Sequence, residues 1–199
     1  MDNKIRTLLM IIISLIIAIC VIVIYTLVDK SAQDSKNVTP VVLEKKEDLQ
    51  SVPLDDPIGE DGMKIHTSEN GYSVKYPADM VAKTMAKSVD FILEDPDSGS
   101  SLNIVTAKND GSVKKFTEEE FKNSLEHTSG GAQFLSYEEI VLNGLDAVAV
   151  EFVYLENYVK QVVIMSESYA YNITMTESSL ITDEIHKAFE NVINSFILN

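Results

Sequence analysis

The stretch QFLSYEEIVLNGLDAVAVEFVYL, residues 133–155, determines the fold class of this chain. Asn143-Gly144 separates two runs in which apolar and polar residues alternate, and Asn-Gly in that position strongly indicates a β-hairpin. Val150 and Phe152 share one face of the second run, because side chains alternate between the two faces of a strand. The stretch therefore predicts two long antiparallel strands with one apolar face.

Strand patterns continue on the C-terminal side of this stretch. Turns at residues 156–157 and 167–168 delimit the runs YVKQVVIMS and YAYNITMT, which predicts four successive antiparallel strands. Ser178 or Ser179 is then expected to cap a helix over about residues 180–196, whose apolar residues recur at helical spacing. We expect this helix to lie on the sheet.

The residues before the stretch predict a second helix. Thr117 and Glu120 have the spacing of a capping box, in which each side chain bonds to the backbone N–H of the other residue. Phe116 and Phe121 stand at the two positions of a hydrophobic staple, which packs the start of a helix. Gly130-Gly131 is expected to end this helix.

A hairpin is predicted near the start of the folded part. The runs MKIHTS and GYSVKYP are joined at Glu69-Asn70-Gly71, which again places Asn-Gly between alternating segments. Tyr72, Val74 and Tyr76 share one face of the second run, and Pro77 is expected to end it. The hairpin therefore has one strand with a strongly apolar face.

Three more runs lie between this hairpin and the first helix. Residues 81–87 are typical of a strand or a helical turn, while residues 89–93 and 101–107 predict strands that form a meander. Taken with the other elements, they predict an α+β domain, an antiparallel β-sheet of about 6–8 strands flanked by two helices.

The order of these elements resembles the PsbP-like family, in particular its membrane-anchored bacterial branch. The phrases that carry the resemblance are GYSVKYPADM, NGLDAVAVEFVY, SYAYNITMT and the terminal VINSFIL. It covers about residues 63–199 and rests on hydrophobic pattern and on short phrases such as Tyr76-Pro77 and Ser195-Phe196. The resemblance implies a PsbP-like fold and a non-enzymatic role in binding or assembly, and it transfers no site residue.

An uncharged run, LLMIIISLIIAICVIVIYTLV, occupies residues 8–28 and predicts one transmembrane helix. About 20 apolar residues are enough to cross the ~30 Å hydrocarbon core. A cleaved signal peptide is disfavoured, because the run is long and passes into Asp29-Lys30 without a good small-residue cleavage site. Lipid modification at Cys20 is disfavoured because Ile19 stands where a small residue is needed.

The anchor divides the chain into four parts. Residues 1–7 form a short basic tail, which favours a signal anchor with its N-terminus inside, and residues 8–28 cross the membrane. Residues 29–62, which are acidic and contain three prolines, predict a flexible stalk. Residues 63–199 have the length of one domain. We expect a single-pass cell-membrane protein whose C-terminal domain is extracytoplasmic.

The charge of the chain excludes some classes of partner. The formal net charge is −15, and residues 1–30 contribute +1, so the remainder carries −16. Such a domain is repelled by nucleic-acid phosphates and by anionic lipid headgroups. The composition therefore disfavours nucleic acid as a partner and leaves basic partners and cations open.

The residues give little support to catalysis. His66, His127 and His186 fall on different predicted elements, and no cysteine lies in the domain to join them in a metal site. The serines are not in a nucleophile elbow, and no glycine-rich loop cradles phosphate. We therefore expect that the protein is not an enzyme and has no cofactor, with a hydrolase as the least favoured alternative.

A divalent-cation site is the sharper alternative. Glu94, Asp95 and Asp97 crowd one turn, and hard cations such as Ca²⁺ prefer several converging oxygen ligands. The turn lacks the spacing of an EF-hand loop, so a solvated turn is favoured over a calcium site. The tyrosines of the later strands offer a second possible binding face, because tyrosine is enriched at interfaces.

The sequence thus predicts a membrane-anchored, extracytoplasmic binding or assembly domain with a protein partner in the cell envelope. The alternative is a sensor of a divalent cation or a small ligand.

Overall fold

A computed structural model describes residues 51–85, 89–109, 116–128 and 132–199. Within these ranges the chain forms two helices, α1 (Glu118–Thr128) and α2 (Asp183–Asn194). The strands, in chain order, are β1 (Ser51–Pro53), β2 (Met63–Ser68), β3 (Tyr72–Pro77), β4 (Val81–Met85), β5 (Val89–Glu94), β6 (Ser101–Lys108), β7 (Gln133–Leu142), β8 (Leu145–Tyr154), β9 (Asn157–Met165), β10 (Tyr169–Glu177) and β11 (Ile197–Leu198).

Eight of these strands form one antiparallel sheet in the order β1-β4-β5-β6-β10-β9-β8-β7. The meander β4-β5-β6 and the four strands β7 to β10 are each sequential, as the sequence predicts. The two groups join where β6 pairs with β10, in a register that places Ile104 opposite Ile173. β1 and β7 are the two edges of this sheet.

The predicted hairpin β2-β3 belongs to a separate sheet. Its order is β11-β3-β2, so the last strand of the chain pairs with β3 and not with the large sheet. Gly71, with φ 82°, forms the turn of the hairpin. Tyr72, Val74 and Tyr76 are buried on one face, as predicted.

The main core lies between the large sheet and a layer made of α2 and the small sheet. Phe189 and Val192 of α2 and Phe196 after it are fully buried there. The rings of Tyr72 and Phe196 stack with centroids 5.2 Å apart, which joins the small sheet to the end of α2. The expectation that the terminal helix lies on the sheet is therefore confirmed.

Helix α1 covers part of the opposite face and has the predicted N-terminal structure. The backbone N–H of Thr117 donates to Glu120 Oε2 at 2.7 Å, and the N–H of Glu120 donates to Thr117 Oγ1 at 3.3 Å. The rings of Phe116 and Phe121 lie 5.5 Å apart, which completes the staple. These residues pack on Phe152 and its neighbours in a second apolar cluster.

The terminal helix begins later than predicted. Thr182, and not Ser178 or Ser179, is the N-cap of α2, because its Oγ1 accepts a hydrogen bond from the N–H of Ile185. Ser178 has another role: its hydroxyl donates to the carbonyl of Ser98 at 2.7 Å. The helix also ends at Asn194, two residues before Phe196.

The folded part begins earlier than residue 63, so the predicted boundary of the stalk is wrong at its C-terminal end. Residues 51–53 form β1, which pairs with β4, and the N–H of Leu54 donates to the carbonyl of Ala82. Ile58 forms a β-bridge with Lys64. These backbone bonds offset the conformational entropy that the segment loses when it becomes ordered. The composition alone predicts that this loss would keep the segment flexible.

The predicted turn between β8 and β9 is also displaced by one residue. Leu155 and Glu156, with φ of 49° and 66°, form the turn, and Asn157 already belongs to β9. No helix within the described ranges is long and apolar enough to cross a membrane. The predicted anchor at residues 8–28 and most of the predicted stalk lie outside the described residues.

Candidate partner-binding edge

β7 is the long outer strand of the large sheet. It has ten residues, and it is the last strand in the sheet order, next to β8. No strand of the described ranges pairs with its outer side. The other edge is formed by β1, which has only three residues. Long strand edges are the usual sites at which another chain adds to a sheet.

The turn between β7 and β8 determines which backbone groups of β7 point outward. Asn143 and Gly144 have φ of 50° and 84°, as in a two-residue type I′ turn. Leu142 and Leu145 flank this turn and form a hydrogen-bonded pair, and pairs along the ladder then alternate. Ile140 therefore directs its N–H and C=O toward β8, whereas Val141 directs them away from it.

The hairpin is also strongly acidic. We define the acidic hairpin as residues 133–156, which comprise β7, β8 and the turn that follows. It contains five carboxylates and no lysine, arginine or histidine; the carboxylates are Glu138, Glu139, Asp146, Glu151 and Glu156. Three of them, Glu138, Glu139 and Asp146, are exposed side chains of the strands. This part of the surface therefore favours positively charged groups.

Apolar side chains accompany these charges. Leu135, Val141 and Leu155 are exposed large hydrophobic residues of the acidic hairpin, and Val141 is 71% exposed. Val141 lies directly opposite the exposed Asp146 of β8. Leu135 lies where the register between β7 and β8 shifts, in a β-bulge. The edge thus offers alternating apolar and acidic contacts.

The acidic hairpin is held in place by the rest of the domain. The Nδ2 group of Asn143 donates to the carbonyls of Asn194 and Phe196, each at 2.8 Å. The hydroxyl of Tyr137 donates to the carbonyl of Phe116 at 2.8 Å. The turn is therefore tied to the end of α2, and the strand is tied to the start of α1. A fixed edge loses less entropy when a partner binds.

The chain enters the domain at the opposite edge of the sheet. Seven strand spacings separate β1 from β7 in the sheet order, which at about 4.8 Å each is on the order of 34 Å. The segment that follows β1 is fixed by Asp56, whose Oδ2 accepts a hydrogen bond from Tyr76 at 3.0 Å and lies 3.2 Å from Nδ1 of His66. The acidic hairpin thus lies at the edge opposite to the one at which the described residues begin.

The three residues predicted as cation ligands do not form a site together. Glu94 is paired with Lys83 at 2.7 Å. Asp95 is buried and accepts hydrogen bonds from the N–H and the hydroxyl of Ser98, so it closes its own turn. Asp97 is exposed. Among the described residues, no three His, Cys, Asp or Glu side chains converge in a way that could hold a metal ion.

The histidines whose side chains are described lie apart from each other. His66, on β2, is buried against Phe91, with ring centroids 5.2 Å apart. His186, on α2, lies 2.5 Å through Nδ1 from Oε1 of the buried Glu177. Each of these two histidines has a carboxylate partner of its own, Asp56 for His66 and Glu177 for His186. The side chain of His127 lies outside the described residues.

The tyrosines of the later strands do not share one surface. Tyr171 is buried in the main core, and its hydroxyl donates to the carbonyl of Asn70 at 2.8 Å. Tyr158 packs at the margin of that core, where burial and a hydrogen bond to Glu151 raise the pKa of its phenol. Tyr154 packs on the second cluster, next to α1. They fill the two faces of the sheet.

A row of buried polar residues, which the sequence did not predict, crosses the centre of the sheet. Thr174 of β10 pairs with Asn103 of β6 and with Gln161 of β9, and all three are buried. The Nε2 group of Gln161 donates to Thr174 Oγ1 at 3.4 Å, while Gln161 Oε1 has no partner within the described ranges. The alternation of YAYNITMT predicts this face to be polar, and polar faces are usually solvated, so the pattern gave no indication of burial.

Comparison with known proteins places the fold. No family model and no curated protein matches the chain. The solution structure of cyanobacterial PsbP (CyanoP) from Synechocystis is similar at a TM-score of 0.54 and 15% identity, covering 71% of this chain and 95% of that one. A protein of unknown function from Pseudomonas aeruginosa gives a TM-score of 0.44 and 12% identity, covering 69% and 97%. The first comparison shows a PsbP-like fold, as the sequence predicts.

Proposed function

We propose that this chain is a membrane-anchored, non-enzymatic binding or assembly domain that holds a protein partner of the cell envelope on the acidic hairpin. The observation that carries the proposal is the outer edge of β7, a ten-residue strand at the end of the large sheet. The bulge at Leu135 interrupts this edge at one end, while residues 136–142 form a regular ladder with β8, and such a ladder can accept another strand on its outer side.

The position of the hairpin supports the same function. The segment from the predicted anchor reaches the sheet at β1, so the chain's own attachment to the membrane leaves the β7 side clear. The predicted orientation places the domain outside the membrane, where a partner in the envelope can reach it. A partner bound along β7 would cover the exposed side chain of Val141, which lies directly opposite the exposed Asp146.

The arrangement of the histidines, which could act as acids or bases in catalysis, favours a binding function over a catalytic one. His66 and His186 are paired with Asp56 and Glu177 in separate parts of the domain. Within the described part of the chain, no serine is a hydrogen-bond partner of either pair. A nucleophile activated by a histidine needs all three groups within hydrogen-bond reach of one another.

Site-specific photo-crosslinking in intact cells tests this function. A photoreactive amino acid replaces Val141 in one variant and Val81 of β4 in the other; the two valines are 71% and 65% exposed, so they differ in place and hardly in exposure. We expect a covalent adduct with one envelope protein from position 141 and none from position 81. The adduct should disappear when Glu138→Lys and Asp146→Lys are added.

Two outcomes contradict the proposal. Equal adducts from both positions indicate non-specific contact, and an adduct that survives the two charge reversals indicates binding elsewhere. The membrane topology is tested separately by protease treatment of cells stripped of their wall, with a cytoplasmic protein as control. Digestion of the domain supports the extracytoplasmic placement, and protection alongside the control overturns it.

A further inference from the structure

We propose that the partner contributes an extended, basic segment that adds to the large sheet as a new strand along β7. This inference rests on the proposed function and specifies the kind of partner and the way in which it binds. The segment is recognised by backbone pairing for affinity and by its lysine or arginine side chains for selectivity.

The backbone of β7 supplies the pairing groups. Because Leu142 and Leu145 form a hydrogen-bonded pair, the next residue toward the start of β7, Val141, directs its N–H and C=O outward, and the ladder with β8 stays regular as far as Ser136. Outward groups recur about every 6.8 Å along a strand, which is the repeat that a second strand also has. The exposure of Val141 leaves this end of the edge accessible.

The side chains of the acidic hairpin select the partner. In an added strand, a residue directly opposite Glu138 lies about 5 Å away and on the same face, so lysine or arginine is favoured there. Three positions further on, a residue opposite Val141 contacts an apolar side chain next to Asp146. The partner segment therefore has a basic residue separated from an apolar residue by two positions.

The same charges disfavour a second copy of this chain as the partner. Two β7 strands paired along their outer edges bring the carboxylates of both copies onto one short ladder. Like charges on neighbouring strands are destabilising, and the acidic hairpin has no basic residue to offset them. Acidic residues on the edge thus permit a basic strand and oppose self-association.

Peptide binding to the full chain in uncharged phosphatidylcholine nanodiscs tests the inference. The probe is the eight-residue peptide Thr-Lys-Thr-Val-Val-Thr-Lys-Thr, whose sequence reads the same in both directions and so fits either strand polarity. Its control has glutamate in place of both lysines. We expect the basic peptide to bind at least tenfold more tightly than the acidic one, and the preference to reverse in the variant Glu138→Lys, Asp146→Lys.

Backbone pairing is tested on the peptide, so that the protein fold is not disturbed. Two further peptides carry N-methyl groups at the odd or at the even positions, which removes alternate N–H donors. One of the two should lose at least tenfold in affinity, while the other binds like the parent. A strand that adds to β7 uses only one set of its donors.

On the protein, Val141→Pro removes an outward N–H and Val141→Thr keeps it. We expect the proline variant alone to lose binding, at an unchanged melting temperature.

If the charge reversals weaken binding while both methylated peptides bind like the parent, strand addition is overturned and the proposed function stands. If the basic and acidic peptides bind equally or not at all, the basic segment is overturned, and the crosslinking experiment decides the function independently.

Discussion

Leu142 of β7 pairs with Leu145 of β8 across the two-residue turn Asn143-Gly144. This pair fixes the alternation of backbone groups along β7 as far as the bulge at Leu135, so that the N–H and C=O of Ile140 point toward β8 and those of Val141 point outward. The turn that produces the pair is held by Asn143, whose side chain bonds to the carbonyls at the end of α2. The orientation of the outer edge thus depends on a few residues around one turn.

Substitution of Asn143 should therefore lower stability in two separable steps. Asn143→Gly keeps the positive φ and loses the two side-chain hydrogen bonds, which we expect to cost about 1–2 kcal/mol. Asn143→Ala also places a β-carbon in the left-handed region, for a total of about 2–3 kcal/mol. Urea unfolding of the full chain measures both. A glycine variant as stable as the wild type would show that the bonds to α2 contribute nothing.

Asp56, in the segment that follows β1, should contribute to the stability of the domain. Asp56→Ala leaves His66 and Tyr76 without their shared acceptor in a buried site, and we expect a loss of about 2–3 kcal/mol in the free energy of unfolding. Tyr76→Phe, which removes one bond, should cost about 1 kcal/mol. The exposed neighbour Asp55 is the matched control, and Asp55→Ala should change stability by less than about 0.5 kcal/mol. Equal effects at positions 55 and 56 contradict this account.

One substitution in the row of buried polar residues should raise the stability of the domain. Gln161 is fully buried and its Oε1 lacks a partner within the described ranges. Gln161→Met keeps the volume and removes the unsatisfied oxygen, so we expect the free energy of unfolding to rise by about 1 kcal/mol. The exposed Gln133→Met is the control and should be neutral. A fall in stability at position 161 would show that the hydrogen bonds of the side-chain amide, including the one from Nε2 to Thr174, contribute more than the unsatisfied Oε1 costs.

Stability should fall steeply in alkaline solution. Burial raises the pKa of the phenols of Tyr72, Tyr76, Tyr158 and Tyr171. In the unfolded chain these groups ionise near pH 10, whereas in the folded chain they stay neutral at that pH. The unfolded state therefore binds fewer protons above pH 10, and the stability present below that pH is lost as the pH rises.

The free energy of unfolding measured between pH 8 and 11 tests this expectation. We expect a plateau up to about pH 9.5 and then a decline of up to about 1.4 kcal/mol per pH unit for each shifted tyrosine. Burial and the negative charge of Asp56 both raise the pKa of the Tyr76 phenol. Tyr76→Phe removes this phenol and should therefore reduce the slope by one proton. A flat profile to pH 11 is incompatible with buried, neutral phenols.

Local features of the fold could be predicted from the sequence because neighbouring residues determine them. The capping box of Thr117 and Glu120 and the turn at Asn143-Gly144 need only a few adjacent residues, and both are present as predicted. The start of α2 could not be predicted in the same way. Ser178 is a good N-cap by type, but its hydroxyl bonds to Ser98, which is distant in sequence.

Features that depend on distant pairing were missed for the same reason. β1 is a strand only because β4 lies beside it, and its own residues, Ser51–Pro53, have little strand pattern. Gln161 and Thr174 alternate with apolar residues as on a solvated face, and nothing in that pattern shows that the face is covered. The edge position of β7 likewise follows from the order of all eight strands and not from its own sequence.

Hydrogen exchange at Val141, compared with its neighbour Ile140, tests the central claim most directly. NMR of the full chain in uncharged nanodiscs follows both backbone amides, with and without a saturating concentration of the basic peptide. We expect the amide of Ile140, which faces β8, to exchange slowly in both states, and that of Val141 to exchange rapidly in the free protein and at least tenfold more slowly with the peptide. An amide of Val141 that is already protected in the free protein, or that the peptide leaves unchanged, contradicts strand addition along β7.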